Sequence, residues 1–228
     1  MEHPEELDRL EMEKALNVGV QFNRKFMVFD RLLNVNLDYY YTNFTEQVVV
    51  DNKTTAGQVN FHNLQGDSYS NCYQVEIKYE LLPRLEVLGA YRYNDVKTTI
   101  GGELLSAPLQ SKYKGLLNLS YSTNMKKWQF DFTTQFNGSG TIFLNPAIEA
   151  DQQSSRFDSF EVMNAQITKY FRKWSIYAGC ENIGDFKQDR AIYNADKPWS
   201  AGFDSTKIWG PVHGRKFYVV IRFALDRE

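Results

Sequence analysis

The sequence has no long apolar run, and this removes one way of crossing a membrane. A transmembrane helix needs about 20 consecutive apolar residues, and no segment of the 228 residues approaches that length. Two cysteines are too few for a disulfide framework. A net charge of -2 also lacks the basic field that a nucleic-acid-binding surface needs. Transmembrane helices, a disulfide-stapled fold and a nucleic-acid partner are therefore excluded.

Residues suited to catalysis or metal binding are also sparse. His3, His62 and His213 stand far apart, without the paired ligand spacing of a metal site. The serines show no nucleophile-elbow pattern, and no glycine-rich phosphate loop follows a strand. We therefore expect no enzyme activity, no metal ion and no cofactor.

The beginning of the chain is acidic rather than basic or apolar. Met1 to Glu6 contains neither the basic region nor the apolar region of a signal peptide. For an exported protein, this start implies that the true N-terminus is missing or has been removed. We interpret residues 1–13 as an acidic leading segment and residues 14–228 as a β domain.

The sequence does contain many aromatic residues, 15% of the total, and a strong alternation of apolar and polar residues. Alternation with a period of two predicts a strand that has one apolar and one polar face. The pattern is clearest over residues 33–41, 73–81 and 128–136, and weaker over 16–22, 85–93, 113–121, 160–171, 174–182 and 217–225. We therefore predict an all-β chain of about nine strands.

The connections between these segments alternate in length. Short ones cover 23–30, 82–84, 123–127 and 172–173, whereas long ones cover 43–69, 95–110, 138–158 and 184–214. This order predicts an antiparallel up-and-down meander with tight turns at one end and long loops at the other. In outer-membrane barrels the tight turns are periplasmic and the long loops extracellular. A soluble sandwich has Greek-key connections, whose lengths need not sort in this way.

The last predicted strand has an apolar face that we assign to lipid, formed by Phe217, Val219, Ile221 and Phe223. Arg222 falls on the opposite face, where a wet lumen would tolerate its charge. The stretch resembles the C-terminal assembly signal of outer-membrane barrels, although Phe223 stands five residues before the end. This resemblance implies contact with outer-membrane lipid and with the barrel-assembly machinery.

Two further stretches resemble segments of TonB-dependent outer-membrane receptors. The first is Ile176 to Ile183 followed by Lys187-Gln188. The second contains Pro198, Phe203-Asp204 and the run Trp209 to Tyr218. The resemblance implies a place in the cell outer membrane and the uptake of a nutrient such as an iron chelate, cobalamin or a glycan.

The same resemblance implies a barrel of about 22 strands closed by an N-terminal plug. This chain would supply roughly the last nine strands of that barrel, and nothing in it resembles the plug. Its partners would then be the rest of the barrel, the plug and the ligand. We expect the chain not to transport by itself, since an odd strand number leaves two unpaired edges.

The loop at 185–213 carries the candidate ligand-binding residues Tyr193, Trp199, Phe203 and Trp209. Exposed aromatic rings in an outer loop could stack on a carbohydrate or chelate ligand. Alternatively, these rings pack the loop onto the barrel rim. Two other interpretations of the whole chain stay open, a stand-alone small outer-membrane barrel and a soluble β-sandwich binding module. Cys72 and Cys180 fall on opposite predicted faces, and we interpret both as structural.

Overall fold

A computed structural model of the chain describes residues 10–51, 60–145, 147–148 and 153–223. Strands dominate these residues, and the 3-10 turn at Asn124–Lys126 is the one helical element among them. The strands are β1 (Lys14–Val28), β2 (Arg31–Glu46), β3 (Val48–Asp51), β4 (Asn60–Asn63), β5 (Ser68–Leu82), β6 (Leu85–Ile100), β7 (Glu103–Ser106), β8 (Tyr113–Ser122), β9 (Trp128–Asn137), β10 (Gly140–Thr141), β11 (Arg156–Phe157), β12 (Phe160–Tyr170), β13 (Trp174–Glu181) and β14 (Lys216–Phe223).

One sheet contains most of these strands, paired in the order β1-β2-β5-β6-β8-β9-β12-β13-β14. Each pair is antiparallel, and β7 pairs with the C-terminal end of β6. The prediction of an all-β antiparallel meander is confirmed. A β-sandwich needs two large sheets packed face to face, whereas the other sheets of the described residues are the two-stranded pairs β3-β4 and β10-β11.

The strands extend further than the alternation predicted. The predicted connection at 23–30 is wrong in length, because β1 runs to Val28 and the turn consists of Phe29 and Asp30. Both turn residues have positive φ, 48° and 58°, as a tight two-residue hairpin turn requires. Similarly, much of the predicted long loop at 43–69 is strand. The pairing of β2 with β5 reaches Asn43 and Tyr69, and the pairing of β1 with β2 reaches Glu46, without any apolar alternation to signal these extensions.

Connections of different length lie at the two ends of the sheet, as predicted. The turn end has the tight connections after β1, β5, β8 and β12, and the loop end has the long ones. We call the connections at the loop end, comprising the described residues of 47–67, 101–112, 138–158 and 182–215, the loop layer.

The cross-strand register sorts the side chains into two faces of the sheet. Phe22 on β1 lies opposite Leu37, which lies opposite Val75 and then Tyr91. We call this side the apolar face. The adjacent row, with Asp38, Gln74 and Arg92, lies on the other side, which we call the polar face.

The predicted N-terminal segment, residues 1–13, lies largely outside the described residues, since the description begins at residue 10. The last two residues of the predicted strand at 217–225 also lie outside it. Within the described ranges, no helix is long and apolar enough to cross a membrane.

Candidate functional site

The loop layer is a set of connections that hydrogen-bond to one another. The backbone N–H of Leu109 donates to the carbonyl oxygen of Thr141 at 2.8 Å, which joins the connection at 101–112 to the connection at 138–158. The Asn145 side-chain amide donates to Asp204 Oδ2 at 3.2 Å, which joins the connection at 138–158 to the connection at 182–215. Three successive connections are thereby fastened together above the sheet.

Asp204 is the most heavily engaged side chain of this layer. It is 8% exposed and accepts hydrogen bonds from the backbone N–H of Thr206 at 2.9 Å and from its hydroxyl at 2.7 Å. Lys207, also buried, places its ammonium group 3.6 Å from Asp204 Oδ2. Burial alone would raise the pKa of Asp204. The hydrogen bonds from Thr206 and the charge of Lys207 outweigh burial and hold that pKa below its usual value.

Asn182, at the end of β13, fixes the start of the last loop. It has a positive φ of 51°, a conformation that asparagine tolerates better than most residues. Its side-chain amide accepts from the backbone N–H of Phe186 at 3.0 Å and donates to the Phe186 carbonyl at 2.7 Å. It also donates to the His213 carbonyl oxygen at 3.3 Å, so one side chain contacts both ends of the loop.

Asp185 joins the same two ends a few residues further on. Its Oδ1 accepts the backbone N–H of Arg215 at 2.8 Å, and the guanidinium of Arg215 donates to the Ile183 carbonyl at 2.9 Å. The hydrogen bond from Arg215, followed by the charge of Lys187, lowers the pKa of Asp185.

Gln188 closes the loop through its buried side chain. Its Oε1 accepts the backbone N–H of Trp209 at 2.9 Å and of Gly210 at 3.1 Å, and its Nε2 donates to the Lys207 carbonyl at 2.6 Å. This side chain therefore joins the two resembling stretches, one ending in Lys187-Gln188 and the other containing Trp209. We call Asn182, Asp185 and Gln188, which each hydrogen-bond across the loop, the clamp. The family resemblance singled out Gln188, Trp209 and Gly210 without assigning them this role.

Four aromatic rings pack beneath the clamp. Trp209 stacks on Phe157 with ring centroids 4.9 Å apart, and Phe160 stacks on Phe186 at 4.8 Å. The two pairs meet where Phe160 contacts Trp209 at 5.5 Å. Phe157 is 3% exposed, so this cluster forms part of the apolar core of the loop layer.

The four candidate ligand-binding aromatics occupy different environments. Trp209 belongs to the packed cluster. Tyr193 is half-buried and forms an isolated antiparallel bridge with Asp204, and Phe203, beside it, is also half-buried. Trp199 is 98% exposed. The structure thus leaves one of the four rings fully free to contact a ligand.

The polar face carries hydrogen-bonded side chains across most of the sheet. Arg92 Nε donates to Gln74 Oε1 at 2.8 Å, and Lys78 forms an ion pair with Glu86 at 2.9 Å. Further along, Ser120 donates to Asp131 at 2.6 Å. Such a surface suits water and polar solutes.

The apolar face is bordered by aromatic rings at both ends. Toward the loop end, Tyr39 and Tyr73 have ring centroids 4.8 Å apart, and Tyr93 follows at 6.4 Å from Tyr73. Toward the turn end, Phe171 stacks on Trp174 at 3.8 Å. Two aromatic bands around an apolar zone are typical of barrels that span the outer membrane.

All four assigned residues of the terminal strand lie on the apolar face. Phe217 pairs with Cys180, which lies in the same row as Ala165 and Phe132. The remaining three of these residues pair with alternate positions of β13: Val219 with Ala178, Ile221 with Ile176 and Phe223 with Trp174.

The two cysteines, both free, lie on opposite faces, as predicted. Cys180 is on the apolar face, and Cys72, paired with Asn94 and Tyr40, is on the polar face. Within the part of the chain that the structure describes, no three His, Cys, Asp or Glu side chains cluster as metal ligands.

Known proteins share both this fold and this sequence pattern. A family model described as "TonB dependent receptor-like, beta-barrel" matches residues 8–183. The chain belongs to the TonB-dependent receptor family. Members of this family are outer-membrane transport receptors. None of the curated proteins matches the sequence.

Solved receptors of low sequence identity share the fold. The copper transporter OprC is 14% identical with a TM-score of 0.69, and the match covers 96% of this chain and 32% of OprC. The ferric enterobactin receptor PfeA from Pseudomonas aeruginosa is 14% identical with a TM-score of 0.63, covering 94% and 31%. The ferric-catecholate import receptor Fiu from K12 E. coli is 16% identical with a TM-score of 0.60, covering 93% and 27%. The chain therefore spans about a third or less of the length of these receptors.

Proposed function

We propose that this chain forms part of the wall and outer loops of a nutrient receptor in the cell outer membrane. The observation that carries the proposal is the register of the main, ten-stranded sheet. It gathers the apolar side chains on one face between two aromatic bands and the polar ones on the other. The apolar face contacts lipid, including Phe217, Val219, Ile221 and Phe223, and the polar face lines a wet lumen.

The turn end then faces the periplasm and the loop layer faces outward. Within the described residues, β1 pairs with β2 alone and β14 with β13 alone, so the outer backbone groups of both edge strands are available for pairing. We propose that further strands pair with these edges to complete a barrel of about 22 strands. A plug fills that barrel, and the barrel-assembly machinery inserts it. In this arrangement residues 14–228 are the C-terminal barrel segment, and the segment does not transport by itself.

The ligand of the intact receptor is proposed to contact the loop layer at Trp199, with Tyr193 and Phe203 beside it. The clamp at Asn182, Asp185 and Gln188 holds this loop in one shape, so the exposed ring is preorganised for stacking. Trp209 acts by packing the loop. The named ligands of the similar receptors, a ferric catecholate, ferric enterobactin and copper, favour a metal chelate over cobalamin or a glycan.

The two native cysteines provide a test of the wall. With the chain in phosphatidylcholine vesicles, we expect the Cys180→Ser variant, which keeps Cys72, to react with a water-soluble maleimide. The Cys72→Ser variant, which keeps Cys180, should react only after detergent or denaturant is added. Equal labelling of both variants in the membrane would overturn the assignment of the faces. A chain that remains in the aqueous phase without detergent would contradict the proposed location in the membrane.

The ligand proposal is tested by binding in detergent micelles, with ferric enterobactin, cyanocobalamin and maltohexaose as probes. We expect the ferric chelate to bind best, and Trp199→Ala to weaken it about tenfold, the loss of about 1.4 kcal/mol of stacking. Trp174→Ala, at the turn end, is the matched control and should leave the affinity unchanged. Unchanged affinity in Trp199→Ala, or no binding of any probe, contradicts this ligand site.

A further inference from the structure

The apolar face contains a groove of about 580 Å³ in the half of the sheet that ends with β14. Its floor consists of small side chains on two neighbouring strands, Ala165 on β12 and Ala178 and Cys180 on β13. Larger side chains form its walls. These are Leu119, Tyr121, Phe130, Phe132, Ile167 and Phe217. A strip of small residues flanked by rings and branched chains has the shape of a slot for an extended hydrocarbon chain.

A lysine lies directly below this groove on the same face. Lys169 is two residues along β12 from Ile167, a step of about 7 Å toward the turn end. Its ammonium group stands 4.2 Å from the centroid of the Trp128 ring and 5.9 Å from that of Phe171. A cation held among the rings of the interfacial band occupies the height of lipid headgroups.

Further cations lie in the two turns beneath the groove. Lys126 and Lys127 belong to the turn between β8 and β9, and Arg172 belongs to the turn between β12 and β13. The backbone N–H of Tyr170 donates to the Lys127 carbonyl at 3.0 Å, which holds the two turns together. No acidic residue occurs in 121–130 or 168–175. We call Lys126, Lys127 and Arg172 the basic turns.

The turn between β5 and β6 is different in charge. There Arg84 is accompanied by Glu80, which accepts its backbone N–H at 2.7 Å, and by Glu86. The two turns below the groove therefore carry positive charge with no acidic residue beside it, unlike the turn between β5 and β6.

We propose that the groove and the cations beneath it bind one anionic phospholipid of the periplasmic leaflet. An acyl chain occupies the slot between Phe132 and Phe217, and the phosphate contacts Lys169 and the basic turns. Attraction of anionic headgroups to clustered Lys and Arg near a membrane surface supplies the selectivity, and the slot supplies the apolar contact. This inference rests on the proposed membrane function of the sheet.

The test measures lipid preference with brominated lipids, which quench nearby tryptophan fluorescence. The full chain is placed in phosphatidylcholine vesicles containing brominated phosphatidylglycerol or brominated phosphatidylcholine, with Trp128 beside Lys169 as the main reporter. We expect phosphatidylglycerol to bind about fivefold or more tightly, the effect of roughly one or more cations at the surface. Lys126→Gln/Lys127→Gln/Arg172→Gln should lower this preference to the contribution of Lys169 alone.

Two controls separate the site from general effects. Lys112→Gln/Arg156→Gln/Lys197→Gln removes three exposed cations at the loop end and should keep the preference. Ala178→Phe fills the groove without changing charge and should weaken binding of both lipids at this site. Gly89→Leu adds an apolar side chain elsewhere on the same face, where a Cβ meets nothing within 4 Å, and should have no effect.

The outcomes distinguish the two proposals. A chain that does not float with the vesicles contradicts the membrane function. A chain that inserts but shows no preference for phosphatidylglycerol contradicts the lipid site alone. The same conclusion follows if the two triple variants behave alike.

Discussion

The sheet wall and the loop layer bury their side chains in opposite ways. The five buried apolar residues of the described chain, Val49, Ile100, Ile142, Ile148 and Phe157, all lie at the loop end. The wall instead exposes large apolar side chains, such as Phe217 with 78% of its surface accessible. The loop layer therefore carries its own core, whereas the apolar face of the wall is left uncovered by the described residues and, in the proposed function, is covered by lipid.

The same contrast applies to polar side chains. In the loop layer, Asp204, Gln188 and Asn182 are buried and each makes several directed hydrogen bonds. On the wall, polar pairs such as Arg92 and Gln74 remain exposed on the polar face. Buried polar groups specify one arrangement because leaving any of them unpaired is unfavourable. The loop layer is thus built to keep a fixed shape, as the proposed ligand contact at Trp199 requires.

The largest effect is expected when an aromatic ring is removed from the core of the loop layer. Phe157→Ala deletes a buried side chain that stacks on Trp209, and such truncations cost about 3–5 kcal/mol. Hydrogen exchange should show loss of protection in residues 182–215 while the sheet stays protected. Phe136→Ala, on the exposed apolar face, is the control and should leave the layer unchanged. Simultaneous loss of protection in layer and sheet would show that the two regions are one cooperative unit.

The next effect distinguishes the two faces of the wall with two neighbouring leucines. Leu117 pairs with Gly89 on the apolar face, and Leu116 pairs with Ala90 on the polar face. Leu117→Lys should destabilise the membrane-inserted chain by about 2–4 kcal/mol, the range for a lysine in mid-membrane. Leu116→Lys, facing water, should change stability by well under half of that.

Urea unfolding of the chain in vesicles measures both variants. Equal destabilisation by the two substitutions would contradict the assignment of the apolar face to lipid and the polar face to water.

The wall was predictable from the sequence, but the loop layer was not. Each face of a strand such as β5 has a single kind of surrounding, so the alternation from Tyr73 to Leu81 reveals it directly. Contacts in the layer join residues far apart, as between Asn145 and Asp204, 59 positions away. No periodic signal marks such pairs. Resemblance to the receptor family highlighted Gln188 and Asp204, but their partners emerge only once the loops are folded.

The smallest expected effect is acid sensitivity of the loop layer. The pKa of Asp204 in the folded layer lies below its ordinary value of 3.8, so the folded layer binds this proton more weakly than the unfolded one. Its stabilisation is therefore present above about pH 4 and is lost as the pH falls through the lowered pKa. Hydrogen exchange in residues 138–145 and 202–207 should be constant from about pH 7 to 5, after correction for the intrinsic rate, and increase below about pH 4.

Asp204→Asn provides the matched control, because it removes the charge at every pH. Buried Lys207 then loses its counter-charge, and the layer should already exchange faster at neutral pH, with a weaker response to acid. The residual response would come from Asp185, whose pKa is also lowered but whose side chain is half exposed and more strongly screened by solvent. If the variant keeps the full acid response of the parent, Asp204 is not the titrating group of the loop layer.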